Sequence, residues 1–328
     1  MKIGSVTIPS PVALAPMAGV TDLAFRQICR ELGAGYSVTE MVSAKALCYQ
    51  DKKTVPLLRL GEGEHPAAVQ LFGSEEASME EAAAKAAALS GADIIDIHRG
   101  CPVPPVCNNG DGSGLARDPE KAARVAAAVV RGAGVPVTAK IRLGWDRGHI
   151  NCVELARRLE DAGVSAIAVH GRTKVQMYSG TADWDAIRQV REAVSIPVIA
   201  NGDVFSPEDA KKILRRTGCE MLMIGRGAFG NPWLFQQCAA ALSGAPIPPR
   251  PPLAQRCDTV VRQIELAARY KGERIACLEA RKHYAWYLKG IPYAGYYKEK
   301  ISSVSTLEEI YEITAGIKRD LKDPEERD

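Results

Sequence analysis

Eight short apolar segments recur along roughly the first 230 residues, each followed by a stretch of helical periodicity. That alternation restricts the fold more than any single motif does. The segments are Val12–Pro16, Tyr36–Glu40, Ala67–Phe72, Asp93–Ile97, Val135–Ile141, Ser165–His170, Ile196–Ala200 and Glu220–Ile224. They are rich in Val and Ile and alternate only weakly, as strands buried on both faces of a parallel sheet do. Between them lie alanine-rich amphipathic stretches, among them Glu75–Leu89, Pro119–Arg131, Cys152–Asp161, Asp185–Val194 and Pro207–Thr217. Asp118-Pro119 and Ser206-Pro207 each supply a cap followed by proline at the first helical position. Gly134-Val135-Pro136-Val137 and Ser195-Ile196-Pro197-Val198 repeat one helix-to-strand junction. Eight βα units of this size fit an α/β fold closed as a (β/α)8 TIM barrel better than an open doubly wound sheet. No GxGxxG fingerprint opens the first unit, which further disfavours a dinucleotide-binding sheet.

The pattern changes near residue 244. Five prolines (Pro246, Pro248, Pro249, Pro251 and Pro252) stiffen the connection, and only helical periodicity follows. The expected organisation is a barrel over 1–243, a proline-rich linker over 244–253 and a small α-helical domain over 254–328. The net charge of +3 identifies no partner, but its distribution is uneven. Residues 256–300 hold ten Lys/Arg against five Asp/Glu, and residues 301–328 hold four against eight. A basic helical segment beside an acidic tail is read either as a polyanion-binding surface or as a solvated helical face. An apolar content of 46% without a run of about 18 apolar residues argues against a membrane span. The N-terminus lacks the pattern of a secretory signal. Nine cysteines with no CxxC point to a reducing compartment, not to a disulfide framework or a zinc site. A cytoplasmic monomer without a metal is expected.

Active sites of such barrels form at the C-terminal strand ends. Here those ends are polar: Pro16-Met17-Ala18, Glu40, Gln70, His98 to Cys101, Lys140 with Arg142, His170 with Arg172, Asn201-Gly202-Asp203 and Gly225-Arg226-Gly227. The last two follow strands seven and eight, where barrels often bind phosphate. Glycines let backbone N–H groups approach an anion, and an arginine adds a charge-assisted pair. Lys140 and His170 are expected at the mouth as cations that stabilise negative charge on a reduced ring. Together the endings suggest a flat, phosphorylated redox cofactor. Cys101 follows an apolar strand and precedes the polar loop Asn108-Asn109-Gly110-Asp111-Gly112-Ser113. With an ordinary pKa of about 8.5 a thiol can donate a proton near neutrality, although a lone cysteine at a strand end is also a common structural feature.

The phrases Ala15-Pro16-Met17-Ala18-Gly19-Val20-Thr21-Asp22, Gly100-Cys101-Pro102, Lys140-Ile141-Arg142-Leu143-Gly144-Trp145, His170-Gly171-Arg172-Thr173 and Asn201-Gly202-Asp203 occur in this order. With Arg281-Lys282-His283-Tyr284-Ala285-Trp286-Tyr287 they closely resemble the tRNA-dihydrouridine synthases, the bacterial B-type branch above all. The resemblance spans nearly the whole chain. It implies an FMN-dependent enzyme that reduces the C5–C6 double bond of uridine in tRNA, with NADPH as reductant. Hydride would pass from flavin N5 to C6, and Cys101 would protonate C5. It further implies that Pro16, Met17 and Ala18 line the flavin, that Gln70 and Lys140 bond its ring edge and that His170 lies close by. Asn201, Gly202, Asp203, Gly225 and Arg226 would hold the ribityl phosphate. The target base must leave its stack to be reduced. Arg281, Lys282 and Lys289 would grip tRNA chiefly through phosphates, with Arg142 and Arg172 as further candidates at the mouth.

One departure stands out. Ahead of the Gly-Cys-Pro turn the family carries Asn and a hydrophobic residue, whereas this chain has His98-Arg99. An amide that both donates and accepts gives way to an imidazole and a fixed cation. The exchange falls on the substrate side of the expected pocket, where it leaves retained activity, a changed substrate and lost uridine reduction all open. The alternatives are an FMN barrel reductase for another or smaller substrate and a non-catalytic RNA-binding homologue. Use of Cys101 as a covalent nucleophile is a weaker option, with His98 as the only evident base.

Overall fold

The computed structural model describes residues 1–49, 51–100 and 112–323. Eight parallel strands form a closed barrel: β1 (Val12–Leu14), β2 (Tyr36–Val38), β3 (Ala67–Phe72), β4 (Ile94–Arg99), β5 (Val137–Arg142), β6 (Ala166–His170), β7 (Val198–Asn201) and β8 (Met221–Ile224). Each pairs with its neighbour in sequence. The ring closes where Leu222, Met223 and Ile224 of β8 meet Val12, Ala13 and Leu14 of β1. All eight expected strands are present. β5 and β7 begin after Pro136 and Pro197, because proline cannot donate to the ladder.

Side chains alternate strictly along the strands. Ala13, Ala15, Tyr36, Val38, Ala68, Ile94, Ala166, Ala168, Ile199, Met221 and Met223 fill the barrel interior. Their neighbours in sequence, such as Leu14, Val69, Ile95, Ile167 and Leu222, pack outward against the helices. A short hairpin (Lys2–Ile3 with Val6–Thr7) was not foreseen. It brings Ile3 and Ile8 into the interior cluster.

Residues 245–252 carry no regular structure. Four helices follow, Leu253–Lys271, Glu273–Tyr287, Gly295–Ile301 and Leu307–Asp320. Cys257, Val260, Ile264, Tyr284, Tyr287, Ile310 and Ile317 are among the residues of their own core. These helices sit beside the barrel mouth. Trp286 stacks on Phe229 with ring centroids 4.1 Å apart and planes 10° from parallel. Lys271 pairs with both Asp22 and Glu279, and Lys282 donates to the Gly19 carbonyl. Among the described residues no helix is long and apolar enough to cross a membrane.

Gly230 makes this docking possible. It has φ +64°, and a β-carbon there would lie 2.3 Å from the Trp286 carbonyl carbon. Gly230→Ala is therefore expected to cost more than the roughly 1–2 kcal/mol of left-handed strain alone. A lowered thermal midpoint with loss of Trp286 burial, read by tryptophan fluorescence, is the expected result. An unchanged midpoint would contradict the docking geometry.

Candidate active site

The first strand ends in a braced turn. Met17 N–H donates to Thr21 Oγ1 at 2.9 Å, and the N–H groups of Val20 and Thr21 return to the Met17 carbonyl. Asp22 then caps the helix Leu23–Glu31 through Phe25 N–H. The buried Arg26 ties this turn to the β2–β3 connection, donating to Thr21 O, Arg59 O and both oxygens of Glu64. This brace holds Pro16, Met17 and Ala18 on the rim of a cleft of about 320 Å³.

Gln70, His98, Lys140, Arg142, His170, Asn201, Gly202, Asp203, Gly225 and Arg226 line the same cleft. Most are inward-facing positions one or two residues beyond the apolar interior layer, so the pleat alone brings them together. Below them Asp96 is buried. It accepts from Thr138 Oγ1 at 2.6 Å and from Gln70 Nε2 at 2.7 Å. Gln70 thereby commits its amino group to the barrel interior. Lys140 Nζ donates to Asn201 Oδ1 at 3.1 Å, while Asn201 Nδ2 donates to the Met223 carbonyl at 2.7 Å.

The charge of the cleft differs from expectation in one respect. Burial first, then Lys140, Arg142, Arg172 and Arg226, hold the His170 imidazole far below its ordinary 6.5. His170 is thus a neutral hydrogen-bonding group and not a cation. His98 is brought down to about 3 by burial and by Lys140, Arg142 and Arg99. Its Nδ1 is buried without a hydrogen-bond partner. The positive charge comes from Lys140, Arg142 and Arg226.

Asp203 organises the far wall. Its carboxylate receives Arg172 through a fork at 2.9 and 2.7 Å, Ala182 N–H at 2.7 Å and Arg226 at 3.3 Å. Burial pushes this carboxyl up, but the Arg172 and Ala182 bonds and the two guanidinium charges bring it below its ordinary range. Asp203 therefore meets arginines, and it positions Arg226 beside the cleft. Arg172 is fully buried and also donates to the Ser179 and Gly180 carbonyls, away from the lining. Gly202, with φ +128°, could not carry a β-carbon, which would fall 2.7 Å from Ala182 Cβ.

Other expected residues lie elsewhere. Arg99 alternates outward from His98 and donates to the Gly73 carbonyl at 2.8 Å, outside the cleft lining. Arg281 donates to the carbonyls of Ser303 and Val304. Lys282 reaches the Gly19 carbonyl, and Lys289 is exposed. Cys101 and most of the loop behind it lie outside the described residues. Gly100, one residue earlier, lines the cleft and accepts from Arg142 Nε at 3.0 Å. Sequence reasoning missed Met177, Tyr178, Phe205 and Phe229, which wall the opening. Tyr178 lies 4.4 Å from the Arg226 guanidinium. These residues belong to loops and carry no periodic signal.

A closed eight-stranded barrel with a cationic, glycine-edged cleft at its C-terminal strand ends has the architecture of a TIM-barrel enzyme. A family model, dihydrouridine synthase, matches residues 13–322. The chain is 44% identical over 293 residues to tRNA-dihydrouridine synthase B of Pseudomonas aeruginosa, covering 89% of this chain and 88% of that one. It is 46% identical over 284 residues to a probable tRNA-dihydrouridine synthase of Rhizobium leguminosarum bv. phaseoli, covering 87% of both. With tRNA-dihydrouridine synthase B of Vibrio cholerae the identity is 39% over 317 residues, 96% of this chain and 98% of that one. Histamine dehydrogenase from Rhizobium sp. 4-9 shares the fold, with a TM-score of 0.58 and 14% identity, over 86% of this chain and 50% of that one. The chain belongs to the dihydrouridine synthase family, a family of oxidoreductases.

Proposed function

We propose that this protein reduces uridine in tRNA to 5,6-dihydrouridine, with FMN as its redox group and NADPH as reductant. One observation carries the reading: in a chain of this family, Gln70, Lys140, His170, Asn201, Gly202, Gly225 and Arg226 all line one cleft at the strand ends. The donor set suits FMN. Arg226, with the small residues Gly202 and Gly225, would hold the phosphate, and the orphaned His98 Nδ1 would gain a partner. When bound, FMN supplies hydride for C6 of the uracil ring.

The chain's own residues do the rest. Because Gln70 gives its amino group to Asp96, its carbonyl oxygen is left for a donor N–H in the cleft. Lys140, aimed by Asn201, would hold the ring edge and favour negative charge there. Cys101 is proposed as the proton donor to C5. Incubating the purified protein with NADPH and unmodified tRNA, then assaying dihydrouridine by mass spectrometry, tests the reading. New dihydrouridine supports it. NADPH oxidation without dihydrouridine points to another substrate, and failure to take up FMN rejects the cofactor.

Lys140 gives the cleft a pH dependence. Burial, then Arg142, bring its pKa down to about 8. The free protein therefore loses this cation as pH rises through about 8, whereas a bound anion favours the ammonium form and raises its pKa. FMN affinity is expected to hold below pH 8 and to weaken by up to about tenfold per unit above it. Lys140→Met should remove that slope, read from free-flavin fluorescence between about pH 7 and 10. The stability effect has the opposite sense. Between about 8 and the ordinary 10.5 the unfolded chain binds more protons at this site, so stability from Lys140 rises with pH.

A further inference from the structure

Of the cations expected to grip RNA, Arg281 and Lys282 bond backbone carbonyls while Lys289 is exposed, and within the same basic segment several others are paired. Arg262 pairs with Glu31, Lys271 with Asp22 and Glu279, and Arg281 with backbone carbonyls. A different group stands on the opposite side of the mouth, on the loops after β5 and β6 and on the short helix Gly112–Arg117 that precedes β5. Trp145, half-buried, has the Arg117 guanidinium 3.4 Å and the Lys174 ammonium 4.3 Å from its ring centroid. The exposed Arg147 follows two residues later. Among the described residues none of the three cations forms an ion pair with a carboxylate. The adjacent Asp146 is occupied by Gly148 N–H and His149 Nδ1, at 2.9 and 2.7 Å.

This group is anchored to the cleft. Lys174 N–H donates to the Gly144 carbonyl at 2.9 Å, and Arg142, which lines the cleft, donates to the carbonyls of Thr173 and Met177 at 2.9 Å each. β5 and β6 lie across the ring from β1 and β2, beside which the helical region docks. Resting on the tRNA reading above, we propose that Arg117 and Lys174, ordered on Trp145, form a second RNA-phosphate contact together with the nearby exposed Arg147. The strand is then held on both sides of the mouth while the target uridine enters between them. Cations held on an aromatic ring lose little freedom on binding, and unpaired cations give up no carboxylate to take a phosphate.

The test compares two triple variants by tRNA binding across a salt series. Arg117→Ser/Arg147→Ser/Lys174→Ser is expected to weaken binding roughly tenfold at low salt and to flatten the log–log salt slope by about 2. Lys211→Ser/Lys212→Ser/Arg215→Ser, which removes equal charge from the outer wall, should bind like the parent. Flavin absorbance and NADPH oxidation without RNA should be unchanged in both. Lys174→Gln alone should flatten the slope by about 1, and it serves if the triple folds poorly. A mouth triple with parental affinity and slope overturns the proposal. A parent that makes dihydrouridine while this triple binds normally rejects only the second contact. A parent that makes none rejects the functional reading as well.

Discussion

Replacing Cys101 with alanine is expected to slow dihydrouridine formation by about 10²–10⁴-fold while leaving flavin and tRNA bound. Protonation at C5 needs an acid that is still protonated near neutrality, and a thiol with an ordinary pKa of about 8.5 meets that condition. The residue follows Gly100, which itself lines the cleft and is held by Arg142. Single-turnover formation of dihydrouridine by the NADPH-reduced variant checks the prediction, with tRNA binding measured in parallel. An unchanged rate would remove Cys101 from the mechanism. Loss of tRNA binding together with turnover would assign it a structural part instead.

The second large effect falls on Asp203. It is the counter-ion of Arg172, whose side chain is 1% exposed, and it keeps 21% of its own side chain exposed. Removing it strands a buried guanidinium, a loss near the lower end of the roughly 3–5 kcal/mol that breaking a buried pair costs. Asp203 also has φ +55°, so alanine adds backbone strain of about 1–2 kcal/mol. Asp203→Asn separates the two effects, because asparagine tolerates that conformation and lacks only the charge. Both variants are expected to lower the thermal midpoint, alanine more, and to weaken FMN binding as Arg226 loses its anchor. The carboxylate titrates below its ordinary 3.8 in the folded protein. Its contribution is therefore complete above that value and is lost as pH falls through the folded pKa. Equal midpoints for Asp203→Asn and the parent across pH 3–7 would contradict this account.

The strand ends were legible because a buried strand declares itself by its apolar run, and the polar residue after that run lies where catalysis occurs in this fold. Gln70, Lys140, His170, Asn201 and Arg226 were picked out within or just beyond the ends of those runs, and all five line the cleft. Period-two alternation, followed one step further, separates His98 from Arg99. Counting from Asp96 puts His98 inward, and Arg99 must then point at the helix layer, as its bond to Gly73 bears out. Asp96 itself went unnoticed because a lone carboxylate in an apolar strand has no local signature; its meaning lies in Gln70 and Thr138, which arrive from other strands. The same holds for Asp203, which the resemblance set among the residues holding the phosphate and which meets two arginines in space. Charge counts over 256–300 found a basic segment. They could not show that Arg262, Lys271 and Arg281 have partners within the protein, since those partners are distant in sequence or are carbonyls.

The hairpin at the start of the chain covers the base of a barrel whose interior is already packed with side chains. With Ile3 and Ile8 stopping the base and side chains filling the interior above them, the vessel has a single lip. On the function proposed above, the electron donor and the RNA base would both come over that same lip, into a cleft of about 320 Å³. On that proposed function, one shared entrance would favour turn-taking, with the electron donor leaving before the RNA acceptor arrives.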